Sequence, residues 1–422
     1  MFGTDRRVLA LALARMADAV GNSFLIVVLP VYIASGTVSG STFGLAEAMV
    51  TGIVLSLFGF LNSFTQPFAG RISDRTGKRK LFILLGLAIL TATNIAYAFA
   101  GSYLSLVAIR ALQGVGVAFT IPCTIALVNE LATSDNRGGN MGIFNTFRLL
   151  GFGLGPIAAG SVVDGGPYTL AGIQLSGFDA AFYFAAVGAF VSYLLVTLLV
   201  SDPEQTQASA GEEFDLSLRD SEGGLDPVFT LGLTTLFLAI SIALLATIEP
   251  TINDRLDQGK TWFGLQFAAF VLAQVALQAP VGRASDRFGR RPFIIVGMVI
   301  LVPATFVQGF VDTSIQMLVA RLLQGVAGAL VFAPALALAG DLAREGQSGT
   351  QLSILTMAFG LGTAIGPLAS GFLVRYGFEM PFEFGATLAA LGAVLVYTQV
   401  EETVAVGADG EAETDSRLTP QD

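Results

Sequence analysis

The 422-residue sequence has no histidine, one cysteine (Cys123), one tryptophan (Trp262) and three lysines, Lys78, Lys80 and Lys260. A single cysteine excludes a disulfide scaffold, and the missing histidines and cysteines exclude a zinc site built on those ligands. Charge is scarce as well: 13% of residues are Asp, Glu, Lys or Arg, against roughly 25% in a soluble domain. That excludes an ordinary cytosolic enzyme, and no basic surface points to nucleic acid. No nucleophile–base pair or metal set is visible, so neither an enzyme nor a bound cofactor is expected. What is present is apolar: hydrophobic residues make up 53%, with 49 Gly and 33 Phe. The mean hydropathy is +0.71. A soluble core has no room for so much apolar side chain, so the chain belongs in a bilayer. The formal charge of −10 is concentrated in two polar segments, 201–226 and 401–422. Acidic polar segments poor in lysine hold water and counterions, which points to a salt-loving host.

Apolar runs of about 20 residues, enough to cross a bilayer core, fall near 8–34, 43–68, 81–100, 103–128, 139–162 and 180–200. A second set falls near 228–250, 262–281, 293–311, 315–339, 350–373 and 382–400. Continuous apolar runs satisfy their backbone hydrogen bonds in lipid as helices. The expected class is therefore an all-α, multi-pass protein of the cell membrane with twelve transmembrane helices. The first run is too long for a leader peptide and holds Arg15 and Asp18, so it is read as a retained span. The basic clusters Arg71–Lys80 and Arg283–Arg291 belong inside by the positive-inside rule, which makes both termini and the linker cytoplasmic.

The two sets of spans are copies. Gly70-Arg-Ile-Ser-Asp74-Arg75-Thr-Gly77-Lys78-Arg79 recurs as Gly282-Arg-Ala-Ser-Asp286-Arg287-Phe-Gly289-Arg290-Arg291 at an offset of 212. At 211, Arg110-x2-Gln113-Gly114 recurs as Arg321-x2-Gln324-Gly325, Gly155-Pro156 as Gly366-Pro367, and Glu130 as Asp341. The expected organisation is a six-helix bundle over 1–200, an acidic linker over 201–226, a second six-helix bundle over 227–400 and an acidic tail over 401–422. Parallel repeats related by an axis along the membrane normal form a transporter architecture, with the substrate held between the halves near the midplane.

At these residues the chain resembles the major facilitator superfamily over essentially its whole length. The doubled loop between the second and third spans of each half carries that superfamily's most specific pattern. In the fifth span, Gly142, Gly151, Gly155, Pro156 and Gly160 resemble the antiporter signature of the drug:proton exchange families, with Ala159 where glycine is usual. The resemblance implies a cytoplasmic latch in which Gly70, Asp74, Arg75, Gly77 and Arg79 hold the halves together in the outward-facing state. Asp286 and Arg287 would be its weaker mirror image, and plain topology signalling is the alternative. Gly151 and Gly155 lie on one face and allow close helix approach. Pro156 removes a helix hydrogen bond. In an antiporter this row would be a hinge or sliding contact; generic packing is the other reading.

Charges inside spans are costly and rarely kept without use. Arg15, Asp18 and Asn22 are three and four residues apart, so they share a face expected to line the cavity. Glu249 lies late in the seventh run, before Pro250. The Asp18 to Pro30 spacing and Ile248-Glu249-Pro250 resemble the cavity acids of vesicular amine transporters and related drug antiporters. A carboxyl kept from water favours its neutral form and can carry a proton; the alternative for Asp18 is a static pair with Arg15 or Arg110. The resemblance links Arg110 to proton transfer. Arginine keeps its proton, so its role would be electrostatic, on a neighbouring acid. Arg148 lies roughly 13 Å into the fifth span at 1.5 Å per residue and is expected to face the cavity with an acidic partner. Gln266, Gln274 and Gln278 share a face of the eighth span, for substrate or for helix packing.

The resemblance as a whole implies a secondary transporter working by alternating access, a monomer coupled to protons or sodium. The expected activity is antiport of small lipophilic or cationic compounds, as in multidrug efflux. Export or symport of sugars, organic acids or other metabolites is the alternative, and a non-transporting membrane sensor a more remote one.

Overall fold

A computed structural model describes residues 6–42, 44–131, 137–170, 172–202, 224–342 and 348–403, with backbone only at 137–139 and 348–353. Most of the acidic linker and tail expected over 201–226 and 401–422 lies outside the described residues. Among the described residues, twelve helices are long and apolar enough to cross a membrane. The first six are Arg6–Ala34, Glu47–Thr76, Arg79–Tyr97, Tyr103–Glu130, Arg137–Asp164 and Gly177–Leu199. The seventh, Pro227–Arg255, is interrupted. The remaining five are Lys260–Phe288, Arg290–Phe306, Ser314–Asp341, Ser348–Leu373 and Met380–Gln399.

Two features depart from the sequence reading, each for a local reason. Gly70 to Asp74 are not in a loop: the second span stays helical to Thr76, because backbone hydrogen bonding continues after the side chains turn polar. Only Gly77 and Lys78 form the turn. Gly77 takes φ 67°, a left-handed conformation suited to glycine, and its N–H reaches the Ser73 carbonyl. The seventh span is α-helical over Pro227–Ala243, tightens to a 3-10 turn over Leu244–Ile248 and restarts as Glu249–Arg255. Pro250 has no N–H for the preceding turn, which accounts for the break. A short antiparallel hairpin, Tyr168–Leu170 with Ile173–Leu175, joins the fifth and sixth spans.

In the amino-terminal half the first span packs on the fifth and sixth, and the fourth on the second and third. In the other half the seventh packs on the eleventh and twelfth, and the tenth on the eighth and ninth. The halves meet along the second and eleventh spans and along the fifth and eighth. Glycines permit both crossings. A Cβ on Gly52 would lie 2.6 Å from the Pro367 carbonyl oxygen, and one on Gly264 would strike the Pro156 carbonyl. Gly160 abuts the Lys260 carbonyl at 2.6 Å in the same sense, and Gly371 the Ala48 carbonyl at 2.5 Å. These contacts lie away from the turns at Gly77 and Gly289, called here the basic end. Toward that end the row stops at Gly360 against Ser63 and Gly153 against Val271. The halves are thus sealed at the far end, where one buried apolar cluster unites Phe24, Leu25 and Val54 with Leu245, Ile248, Ile252 and Phe263.

Candidate substrate cavity and gates

The spacing of Arg15, Asp18 and Asn22 does bring their side chains together. Arg15 pairs with Asp18, and Asn22 Nδ2 donates to Asp18 Oδ1 at 2.9 Å. The pair does not face the boundary between the halves. Arg15 and Asp18 line a small pocket with Leu11, Ile83, Leu87, Thr120 and Thr124, inside the amino-terminal half. Asp18 is buried there, 3% exposed. Helical periodicity groups these residues correctly, but it does not say which side of a bundle they face.

Arg110 was expected to act on an acid, and it touches none among the described residues. Its Nη1 donates to Gln113 Oε1 at 2.9 Å, and its guanidinium lies 4.3 Å from the centre of the Phe58 ring. Gln113 also accepts from the Tyr97 hydroxyl at 2.8 Å and donates to Asn94 at 2.6 Å. Arg321 repeats the arrangement in the other half. It donates to Gln324, lies 4.7 Å from the Phe270 ring centre and 5.6 Å from that of Phe267. Gln324 in turn donates to Thr305 Oγ1 at 3.1 Å and the Ser241 carbonyl at 3.2 Å. Both arginines are buried. A ring face in a desolvated site stabilises a cation by about 2 kcal/mol, which lets each half hold a guanidinium without a carboxylate.

Arg148 likewise lacks the expected acid among the described residues. Its Nε and Nη2 donate to Asn145 Oδ1 at 3.0 and 2.8 Å. Glu249 stands at the restart of the seventh span and is fully buried. Neither of its oxygens has a hydrogen-bond partner among the described residues. Its neighbours Ile248 and Ile252 belong to the apolar cluster that seals the far end. Gln266 is buried and donates to Gln258 at 2.8 Å and to the Ser314 carbonyl at 3.2 Å, so it joins helix ends; Gln274 and Gln278 are half-buried.

At the basic end, Arg79 is buried between two acids. It pairs with Asp74, with Glu130 at 2.8 Å, and with Ser73 Oγ at 3.1 Å. Arg290 mirrors it, pairing with Asp341 and with Asp286 at 3.2 Å. Both ion triads stay within their own halves. Arg75 and Arg287 are exposed, and neither forms an ion pair among the described residues. The glycine row divides. Gly151 and Gly155 abut the Met16 and Val20 carbonyls of the first span, and Gly160 abuts the other half. Among the described residues a Cβ on Gly142 would meet nothing within 4 Å, and one on Gly70 only Pro122 at 3.9 Å, so a close approach requires glycine at neither. The row recurs as Gly362, Gly366 and Gly371 at the offset of 211, a signal readable in the sequence. Gly362 and Gly366 abut the seventh span as Gly151 and Gly155 abut the first.

One gate element carries no signal in the sequence. Asp164, at the end of the fifth span, binds Lys260 Nζ at 3.1 Å. It also accepts from the Thr261 backbone N–H at 3.2 Å and the Thr261 hydroxyl at 3.0 Å. A residue of one half therefore caps the first turn of a helix in the other, where an anion is favoured. No repeat marks it: the positions equivalent to Asp164 and Lys260 are Arg375 and Ala48.

Comparison with known proteins agrees with this architecture. The Major Facilitator Superfamily model matches residues 11–243 and 230–420. A multidrug resistance protein, MdtG of Klebsiella pneumoniae (strain 342), is 26% identical over 389 residues, covering 89% of each chain. An MFS-type transporter of Methanocaldococcus jannaschii is 32% identical over 178 residues, but the match covers only 42% of this chain and 46% of that protein. A bacterial homologue of the human lysosomal transporter Spinster, in its inward-facing and occupied conformation, superposes with a TM-score of 0.78. It is 13% identical, covers 94% of this chain and 97% of its own, and shows the fold alone. With both halves matched by the family model, the chain belongs to the major facilitator superfamily and is a multi-pass secondary transporter, not an enzyme.

Proposed function

We propose that the protein is a proton-coupled antiporter that exports small lipophilic compounds across the cell membrane. The observation that carries this reading is Glu249, a carboxyl with no hydrogen-bond partner among the described residues, enclosed where the two halves seal. An ionised carboxylate stripped of water and of partners costs far more than a neutral one. The far end therefore closes readily with a proton on Glu249 and opens to water when that proton leaves. Asp18 is the second carboxyl of the cycle. Paired with Arg15 it is charged, and a proton delivered to it releases Arg15.

The basic clusters orient the basic end and both termini toward the cytoplasm. The sealed far end is then external, and this is the state in which an exporter loads. Asp74 is held by Arg79 in this state, which leaves a latch between the halves for the opposite state. The glycine crossings of the fifth and eleventh spans form the surfaces that part as access alternates. The similarity to a protein named for multidrug resistance, over 89% of both chains, supports lipophilic substrates. Among the described residues of the spans a cationic substrate finds no free carboxylate, because Asp18 is paired with Arg15 and Glu249 is enclosed.

The test is a proteoliposome assay at high salt with an imposed pH gradient and a trapped pH dye. Lipophilic compounds should evoke proton movement with the wild type and not with Glu249→Gln or Asp18→Asn. Substrate flux driven by sodium, or by its own gradient without protons, would overturn the reading.

A further inference from the structure

Away from the helix ends, the spans hold four arginines, Arg15, Arg110, Arg148 and Arg321, against two carboxyls, Asp18 and Glu249. Asp18 is spent on Arg15, and Glu249 lies in the apolar seal. Arg110 and Arg321 are 3% and 0% exposed and rest on aromatic rings. Arg148 differs from both: it is half-buried, and among the described residues it has no ring beneath it and no acid. Asn145 occupies only the Nε and Nη2 side of its guanidinium, so among the described residues the Nη1 edge is left without a partner.

The position of Arg148 on its helix is equally specific. Gly151 and Gly155, three and seven residues on, face the first span, while Phe152, four residues on, meets Phe267 of the eighth span at 5.5 Å between ring centres. Helical geometry sets Arg148 between those two faces, one turn from the aromatic contact on the side of the basic end. Arg15 is close enough for the two positive charges to repel. With Asp18 included, the local sum is one positive charge in a poorly solvated site. Such a charge is costly to keep unless something anionic visits it. One turn on, the apolar cluster that joins the fifth and eighth spans includes Phe152, Phe267 and Val275.

We infer that Arg148 receives the acidic group of the transported compound, and that the substrates are amphipathic organic anions of one negative charge. The carboxylate would take the Nη1 edge of the guanidinium in charge-assisted hydrogen bonds, and the apolar body would lie along Phe152, Phe267 and Val275. This rests on the reading of the chain as an exporter of lipophilic compounds and adds the charge they carry. It also gives the neutral amide of Asn145 a purpose, since it orients the guanidinium without cancelling its charge.

The test measures binding of three matched probes to the purified full-length protein by titration calorimetry: 1-naphthylacetate, its uncharged amide and 1-naphthylethylamine. The acid should bind about tenfold more tightly than the amide or the amine, the scale of a hydrogen bond to a charged group. Arg148→Gln should erase that preference, and Arg148→Lys should retain part of it. If Arg148→Gln does not fold, as judged by thermal melting, Asn145→Asp serves instead. Its added carboxylate would occupy Arg148 and abolish the preference. Amide or amine binding as tight as the acid's in the wild type, no acid binding at all, or a preference that survives these variants would each overturn the inference. No pH gradient is involved, so a failure of proton coupling in proteoliposomes would leave this result standing.

Discussion

Asp164 Oδ1 and Lys260 Nζ lie 3.1 Å apart across the boundary between the halves, and the other Asp164 oxygen caps the first turn of the eighth span through Thr261. The ion pair alone is worth little, because both side chains are about a third exposed, at 30% and 32%, and solvent screens them. The cap adds about 1 kcal/mol. Together they hold the far end shut without making it irreversible, as a gate that must open in every cycle requires.

Asp164→Ala, which removes both the cap and the ion pair, should therefore raise the population of the far-end-open state several-fold, the change expected for about 1 kcal/mol. A cysteine at Ala246, within the apolar seal, reports on this in a Cys123→Ala background. Its alkylation by a water-soluble maleimide should quicken several-fold in Asp164→Ala. An unchanged rate would show that the clasp does not contribute to closure.

The glycine crossings make a steric prediction. Gly264 and Gly52 meet proline carbonyls of the opposite half with no space for a Cβ. Valine at either position should cost about 1–3 kcal/mol of closure, slowing transport about tenfold or more while insertion is retained. Gly142→Ala and Gly70→Ala are the controls, because among the described residues a Cβ at either position would meet nothing nearer than 3.9 Å. Their transport rates should stay near wild type. If Gly264→Val transports as well as Gly142→Ala, the far-end seal is not an obligatory state.

How much of this is legible in the sequence depends on whether a contact follows the repeat. The offset of 211 pairs Glu130 with Asp341, while the motif repeat at 212 aligns Arg79 with Arg291; the structure shifts that pairing by one residue and gives the matching ion triad to Arg290. The same offset relates Phe58 to Phe270, yet hydropathy alone does not mark them as the ring partners of Arg110 and Arg321. Aromatic residues are too common in lipid-facing positions for that. The Asp164 clasp escapes for the opposite reason: Arg375 and Ala48 stand at the equivalent positions, so no symmetry points to it. Span ends also escape, because helices such as Glu47–Thr76 continue into water after the apolar signal stops.

If Glu249 is the proton carrier proposed above, the gate should depend on pH, with a sign set by its surroundings. The sealed state encloses the carboxyl without a partner, so that state favours the bound proton, whereas an opened, hydrated seal accepts the charge. By linkage the proton-bound form stabilises closure, and raising the pH shifts the population toward the far-end-open state. Alkylation of Ala246→Cys, corrected for thiol ionisation, should accelerate with pH in the wild type. In Glu249→Gln, which is neutral at every pH, the profile should be flat and the closed state favoured. A pH dependence that persists in Glu249→Gln would assign the switch to another group.

At the basic end, Asp74 has two partners to choose between. Here it is held by Arg79, which Glu130 also binds, and Asp74 is partly exposed, at 42%. An acid used only to position Arg79 would be partly redundant, because Glu130 and Ser73 already hold that guanidinium. A carboxylate at the rim of the open end can instead leave Arg79 and bridge to the other half when that end closes. Asp74→Asn should then lower turnover about tenfold, the loss expected when one charge-assisted contact is removed from an obligatory state. Membrane insertion and thermal stability should change little, since Arg79 keeps Glu130. Asp286→Asn, in the mirror triad, should have the smaller effect, because Arg290 keeps Asp341 and the Ala337 carbonyl. Equal wild-type rates in both variants, measured in proteoliposomes, would reduce the two acids to static partners of their arginines.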